Sequence, residues 1–306
     1  MSTGTKIQKT YKNARQRQYL KYKKGMDTSM KSIKIVSDSS SDILDITGID
    51  FAYASMKIIT AEKEFIDDAT LDTTDMVSYL EQYKGKSQTS CPNAEDWLTA
   101  FGDTDDVICI TITSALSGSY NTACAAKQIY EETEGKRVFV LDSLSTGPEM
   151  LLIIEKLKEL ILSGMSYEDI CQKIQSYTKQ TGLLFMLKSL KNLANNGRVS
   201  PALARILEML NIYIVGKASN EGKLDTTHKC RGESRSLDTL VRDLKNHGFT
   251  SGKISIAHCE NEEGALKLQS LIKKEFSKAK SEIHRLRGLC SFYAEKGGIL
   301  VGFEKI

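Results

Sequence analysis

The chain of 306 residues contains only three prolines, so a Pro-rich linker or stalk is excluded. No apolar run approaches the length of about 18 residues that a membrane-spanning helix requires. We expect no secretory signal, because no apolar segment follows the basic N-terminus. Hydrophobic residues make up 41% and charged residues 26% of the chain, values typical of globular domains. The length predicts two domains or one large one.

Cysteine is present in a pattern that argues against both disulfides and zinc. The seven cysteines are odd in number, and the closest two, Cys109 and Cys124, are separated by 15 positions. No CxxC pair or Cys/His cluster with the spacing of metal ligands occurs, so we expect no metal site. We interpret the thiols as reduced, which predicts a cytoplasmic protein.

The positive charge is concentrated at one end of the chain. Residues 1–31 contain nine Lys or Arg and one acid, a net +8, whereas the whole chain carries only +3. The remainder is therefore acidic, with a net charge of −5. We predict a flexible basic arm over residues 1–31. Its charge would give weak, salt-sensitive contact with an anionic membrane surface, without specific nucleic-acid recognition.

Strand-like and helix-like segments alternate through the rest of the chain. Residues 107–113 (VICITIT) form a continuous apolar run, the pattern of a strand buried on both faces. Residues 148–163 have the apolar periodicity of an amphipathic helix. The alternation predicts an α/β fold with a mostly parallel sheet in its first half. We place an N-terminal α/β domain at 32–181 and a C-terminal α/β domain at 182–306.

The familiar signatures of catalysis are missing. The chain has no GxxxxGK[ST] phosphate loop, no GxGxxG at the start of a helix, no GxSxG elbow and no HExxH pair. Its four histidines form no recognisable ligand pair. Any chemistry must therefore come from other residue types.

Hydroxyl side chains cluster where strands end or helices begin. In an open α/β sheet, the carboxyl ends of the strands line the ligand crevice. Four such loops occur in the first half, at residues 37–42 (SDSSSD), 89–92 (TSCP), 113–118 (TSALSG) and 142–147 (DSLSTG). None contains Lys or Arg. Hydroxyls and the N–H groups of helix N-termini can hold an anion without a cation, and a single negative charge such as a carboxylate fits best.

The identity and order of these loops resemble the DegV family. That family has a D-S-[ST]-x-D motif, a T-S-Q-P loop, an S-S-x-[LI]-S-G-[ST]-Y segment, a D-S loop and a G-R-[IV] turn. The matching segments are residues 38–42, 89–92 (with Cys91 for Gln), 113–120 (with Thr113 for Ser), 142–143 and 197–199. The resemblance covers about residues 33–303.

The resemblance implies two α/β domains with a long-chain fatty acid held between them. It implies no cofactor and no catalysis by this chain, which would present the fatty acid carboxylate to a separate fatty acid kinase subunit for phosphorylation. The residues that it implies for the carboxylate site are Thr89, Ser90, Ser114, Ser117, Gly118 and Tyr293. Those that it implies as support for the loops are Asp38, Ser39, Asp142 and Ser143. By the same resemblance, Arg198 would contact the kinase.

One segment departs from the family pattern. The family commonly ends in His-x-Gly-x-Gly, with its His near the ligand head group, whereas residues 293–298 here read YAEKGG. Tyr293 replaces the His and can still donate one hydrogen bond. Glu295 replaces the first Gly, and its charge would oppose a carboxylate unless the side chain points away or pairs with Lys296.

Two other interpretations stay open at this stage. The protein could be a phosphotransferase or hydrolase that uses Asp38 or Asp142 with a serine nucleophile on a small phosphorylated or acyl substrate. Alternatively, the basic arm could be the functional part. The walls of an acyl-chain cavity are not fixed by the sequence. Residues 183–187 (LLFML) and 203–210 are candidates, but core packing explains them equally well.

Overall fold

The computed structural model describes residues 32–206 and 211–305. The predicted basic arm at 1–31 lies outside these ranges, as do residues 207–210 of the candidate wall. Within them, no helix combines the length and apolar character needed to cross a membrane. All seven cysteines are free thiols.

The elements of the described residues are as follows. The strands are β1 Ile33–Asp38, β2 Asp50–Ala54, β3 Lys57–Ile59, β4 Glu64–Ile66, β5 Gln88–Ser90, β6 Asp106–Thr111, β7 Arg137–Asp142, β8 Thr181–Leu187, β9 Ile212–Ala218, β10 Leu224–Arg231, β11 Gly252–His258, β12 Ala279–Arg285 and β13 Ile299–Glu304. The helices are α1 Thr73–Gln82, α2 Ala94–Phe101, α3 Ser119–Tyr130, α4 Gly147–Leu162, α5 Tyr167–Thr178, α6 Lys191–Asn195, α7 Pro201–Ile206, α8 Glu233–Asn246, α9 Glu262–Glu275 and α10 Gly288–Ala294.

The first half of the chain forms a parallel sheet in the order β2-β1-β6-β7. Helices α2 and α3 cover one face through Trp97, Phe101 and Ala123, and helices α4 and α5 cover the other through Leu157 and Ile170. Every residue of β6 is therefore buried, as its continuous apolar sequence predicted. The α/β fold with a parallel sheet in its first half is confirmed.

The second half forms a six-stranded sheet in the order β10-β9-β8-β13-β11-β12. Its pairs are antiparallel except for β11 and β12, which run parallel. Helices α8 and α9 cover one face. On the other face the start of α4 lies against β13, where a Cβ on Gly302 would come within 2.5 Å of the Pro148 backbone. Helix α4 thus packs against both sheets, and glycine at position 302 permits this close approach.

A small antiparallel sheet, β4-β3-β5, lies beside the two larger ones. Its Ile58 and Phe65 pack in one cluster with Met76 of α1, Phe292 of α10 and Phe185 of β8. Of these three-residue strands, sequence patterning predicts only β3, which lies within the apolar segment 54–60, whereas β4 and β5 show no clear periodicity. The predicted domain boundary near residue 181 coincides with the first residue of β8 and stays a prediction.

Buried carboxylates of the first half hold the start of helix α10. Asp67 accepts hydrogen bonds from the backbone N–H groups of Gly288 (3.0 Å) and Leu289 (2.9 Å) and from the Ser39 hydroxyl (3.0 Å). Asp42 accepts one from the backbone N–H of Arg287 at 2.9 Å. A short helix that begins at Gly288 is thereby fixed to the first half of the chain, although it is encoded more than 200 residues later.

Asp42 gives the stability of the fold a predicted dependence on pH. Burial raises its pKa to about 8, the Arg287 N–H opposes this rise, and the nearby Asp67 adds to it. In the unfolded chain the same carboxyl loses its proton near pH 4. The protonated Asp42 side chain therefore contributes to the free energy of unfolding below about pH 4, and this contribution is lost as the pH rises towards 8. Asp42→Asn keeps an acceptor for Arg287 and cannot ionise, so its free energy of unfolding should fall less between pH 5 and 8.

Urea unfolding of both proteins across this pH range measures the difference. Asp45→Asn, the loss of an exposed acid three positions away, controls for the change in net charge. Parallel stability profiles for Asp42→Asn and the parent would show that Asp42 does not cause the dependence.

Candidate functional site

A cavity of about 300 Å³ lies between the two large sheets. This volume is at the lower end of the range typical of ligand sites, about 300–1,000 Å³. Most of its wall is apolar. Leu183, Phe185 and Leu187 are alternate residues of β8 and therefore face the same side of the strand. Further apolar side chains complete the wall: Met56, Ile112, Leu116, Leu193, Leu224, Leu289, Ala294 and Leu300.

Polar groups gather at one part of this cavity. Thr89 and Ser90 come from the end of β5, and Ser117 and Gly118 come from the loop before α3. Tyr293 of α10 completes the group, with its hydroxyl 2.7 Å from the Thr89 Oγ1. The cavity is therefore amphipathic, with long apolar walls and a cluster of hydrogen-bond donors.

Helix α3 begins beside these hydroxyls. Its N-cap is Gly118, which makes no side-chain cap, and no acidic residue occupies its first turn. The N–H groups and the dipole of a helix N-terminus favour an anion. Glycine at 118 also lets the Cys91 thiol approach, because a Cβ there would lie 3.3 Å from the Cys91 Sγ.

Two aspartates at the ends of β1 and β7, the strands on either side of β6, shape the 113–118 loop. Asp38, at the end of β1, accepts hydrogen bonds from the Ile112 N–H (2.9 Å) and the Ser119 hydroxyl (2.6 Å). Asp142, at the end of β7, accepts one from the Ser114 N–H at 3.1 Å. Asp38 thus holds the residues just before and just after the loop, and Asp142 holds the second residue of the loop itself.

The ten residues predicted for the carboxylate site and its supporting loops fall into two groups. Thr89, Ser90, Ser117, Gly118 and Tyr293 line the cavity. The other five lie outside its lining: Ser114, Asp38, Ser39, Asp142 and Ser143. The Ser114 side chain is exposed to solvent, and its backbone is tied to Asp142.

Ser39 and Ser143 act within the framework behind the loops. The Ser39 hydroxyl donates to Asp67 and accepts from the Met56 N–H at 3.0 Å. The Ser143 hydroxyl donates to the Ser145 carbonyl at 3.1 Å and is buried. Neither side chain is directed at the cavity, so both stabilise loop conformation.

Arg198 brings a positive charge to the cavity. It lines the cavity, and its Nε donates to the Leu116 carbonyl at 3.0 Å. Burial raises the pKa of Tyr293, whereas the hydrogen bond from Thr89 and the Arg198 charge lower it. The four hydroxyl loops contain no cation, but the fold adds one from a turn 82 positions beyond Leu116. The G-R turn marked this residue in the sequence, although not its place at the cavity.

Glu295 does not face the cavity. It accepts a hydrogen bond from the Asn192 N–H at 3.0 Å, and burial raises its pKa. Lys296 pairs with Glu81 at 3.2 Å and not with Glu295. The charge that would oppose a carboxylate therefore points away from the polar cluster, while Tyr293 remains in it.

The geometry around Asp38 and Asp142 gives no support to a nucleophilic enzyme. Asp38 is fully buried and its oxygens accept hydrogen bonds from Ser40, Ile112 and Ser119. No histidine lines the cavity in the part of the chain that the structure describes. In the same residues, no group of three or more His, Cys, Asp or Glu is placed to hold a metal ion.

Comparison with protein families matches residues 32–305 to the model described as "Uncharacterised protein, DegV family". The chain belongs to the DegV family. Among curated members of this family, a DegV domain-containing protein of Streptococcus pyogenes is 37% identical over 276 residues, which cover 89% of this chain and 99% of that protein.

Solved structures of DegV proteins share the fold. A DegV family protein from Eubacterium eligens, described as loaded with heptadecanoic acid, is 42% identical with a TM-score of 0.88. The Streptococcus pneumoniae Fatty Acid Kinase (Fak) B3 protein, described as loaded with linoleic acid, is 37% identical with a TM-score of 0.87. Each match covers 90% of this chain and 100% of the solved chain.

Proposed function

We propose that this protein binds one long-chain fatty acid in the cavity and presents its carboxylate to a separate fatty acid kinase for phosphorylation. The observation that carries the proposal is the amphipathic cavity between the sheets, in a chain 42% identical to a DegV protein loaded with heptadecanoic acid. In this proposal the chain itself supplies no catalytic group.

The apolar walls supply most of the affinity. Each buried CH₂ group contributes about 0.8 kcal/mol, so an acyl chain of about sixteen carbons gains on the order of 10 kcal/mol before the losses of binding entropy. The β8 side chains Leu183, Phe185 and Leu187 offer a continuous surface for it. The head group then decides orientation more than affinity.

The polar cluster suits a single carboxylate. Thr89, Ser117 and Tyr293 carry hydroxyl groups, helix α3 begins beside them with no acidic residue in its first turn, and Arg198 adds one positive charge. One cation matches one anion, so a carboxylate would be neutralised on entering the cavity. A polyphosphate would leave several charges without a partner.

Access at the polar end supports presentation to a kinase. Ser90 and Gly118 both line the cavity and are exposed to solvent. A phosphate donor bound to another protein could therefore reach a carboxylate held there without the acyl chain leaving its walls. The name of the Streptococcus pneumoniae relative, a Fatty Acid Kinase B3 protein, suggests the same kind of partner.

We expect the purified protein to carry a fatty acid from its expression host. Organic extraction followed by mass spectrometry, with native mass spectrometry for stoichiometry, should find about one lipid per chain. Delipidated protein should take up labelled palmitate or oleate. A protein that contains no lipid and takes up neither label would disprove the carrier function.

Removal of head-group donors should weaken binding. Thr89→Val and Ser117→Ala each delete one hydroxyl, and a hydrogen bond to a charged group is worth roughly 1.5–3 kcal/mol, so the Kd should rise about tenfold to a hundredfold. Ser114→Ala is the matched control, because this exposed hydroxyl lies outside the cavity lining. Fluorescent fatty acid titration measures all three. An effect of Ser114→Ala equal to that of Ser117→Ala would place the carboxylate elsewhere.

Arg198→Glu tests presentation to the kinase. With a fatty acid kinase and ATP, the loaded parent should form acyl phosphate, which hydroxylamine traps. The variant should bind fatty acid more weakly, because its charge now opposes the carboxylate. If Arg198 also contacts the kinase, product formation should stay low when fatty acid saturates the variant. Full recovery of acyl phosphate formation at saturating fatty acid would show that Arg198 acts only at the head-group site. If the parent itself forms no acyl phosphate, presentation to the kinase is disproved.

A further inference from the structure

The turn between β9 and β10, residues 219–223, crosses from the second half of the chain to the loops of the first. Asn220, Glu221 and Lys223 are exposed, whereas Gly222 between them is buried. The Gly222 carbonyl accepts a hydrogen bond from the Thr113 Oγ1 at 3.0 Å. A turn that buries its glycine against another part of the fold makes a specific contact there.

This contact leaves no space for a side chain. A Cβ on Gly222 would lie 2.0 Å from the Thr113 Oγ1 and 3.1 Å from the Leu144 Cα. The turn also has its own hydrogen bonds, including Ser219 N–H to the Lys223 carbonyl at 2.8 Å. It is therefore a preformed element that fits closely between the 113–118 loop and the loop after β7.

The 113–118 loop is held by the second half of the chain at two points. Thr113, at its start, contacts Gly222, and the carbonyl of Leu116 accepts from Arg198. The same loop carries Ser117 and Gly118 to the polar part of the cavity. Its position over a ligand head group thus depends on residues more than 80 positions away.

We propose that the 219–223 turn is a clamp that positions the 113–118 loop over the polar end of the cavity and so controls the rate at which ligand enters and leaves. The clamp rests on the proposed fatty acid function. Gly222 and Thr113 are positioning residues in it, because they act through Ser117 and Gly118. Leu224, two residues beyond Gly222, lines the cavity and couples the turn to the acyl-chain wall.

Two variants open the clamp, and each has a matched control. Gly222→Ala forces the turn away from Thr113, and Gly248→Ala imposes similar backbone strain, at φ +85° against +71°, with nothing within 4 Å of its Cβ. Thr113→Val removes the donor to Gly222 and the acceptor of the Ala115 N–H, whereas Thr113→Ser retains both. Stopped-flow exchange of a fluorescent fatty acid then measures association and dissociation separately.

The clamp predicts faster exchange in both directions. The dissociation rate should rise roughly three- to tenfold in Thr113→Val, the equivalent of one neutral hydrogen bond, and at least as much in Gly222→Ala. Association should also accelerate, so the Kd should change less than the dissociation rate. Gly248→Ala and Thr113→Ser should stay within about twofold of the parent.

Equal exchange rates for Gly222→Ala and Gly248→Ala would overturn the clamp. A faster dissociation rate with an unchanged association rate would also overturn it, because that result indicates only a damaged binding site. Hydrogen exchange of the ligand-free protein gives a second readout. Amides of residues 113–118 should exchange faster in Gly222→Ala than in Gly248→Ala, and equal exchange would also overturn the clamp. If the parent binds no fatty acid, the carrier function fails while this comparison still decides whether the turn holds the loop.

Discussion

The buried carboxylate of Asp38 is the interaction on which the polar end of the cavity depends. It lies at the carboxyl end of the central strand β1 and binds both the backbone that leaves β6 and the hydroxyl of Ser119 at the start of α3. One side chain thereby sets where the 113–118 loop begins and where the next helix starts. Burial raises the pKa of Asp38, and these hydrogen bonds oppose that rise. The carboxyl thus has a structural role, because it positions the start of the 113–118 loop and of α3.

A second pair of carboxylates connects the first half of the chain to helix α10 near its end. Asp42 and Asp67 hold the first residues of α10, and α10 carries Tyr293 into contact with Thr89. The cavity is therefore closed by parts of the chain that are far apart in sequence. Such a site forms only when both halves are folded and packed, which couples ligand binding to the stability of the whole molecule.

The apolar and polar parts of the cavity come from different sources. Alternate residues of β8 provide the long hydrophobic wall, whereas loops at the ends of β5 and β6 provide the hydroxyls. Arg198 then adds charge at the polar end. The cavity thereby combines a long apolar wall with hydroxyl groups and one positive charge at its polar end.

The sequence by itself determined the α/β class, the burial of β6 and the hydroxyl loops, because these depend on local periodicity and on residues close together in the chain. An ordered set of short motifs, through their resemblance to the DegV family, also predicted Thr89, Ser117 and Tyr293 as residues of the ligand site. Only the tertiary structure decided that Ser114 points to solvent, that Arg198 lies at the cavity and that Gly222 contacts Thr113. These placements depend on contacts between residues dozens to hundreds of positions apart, and no local pattern encodes the direction in which a side chain meets such a partner.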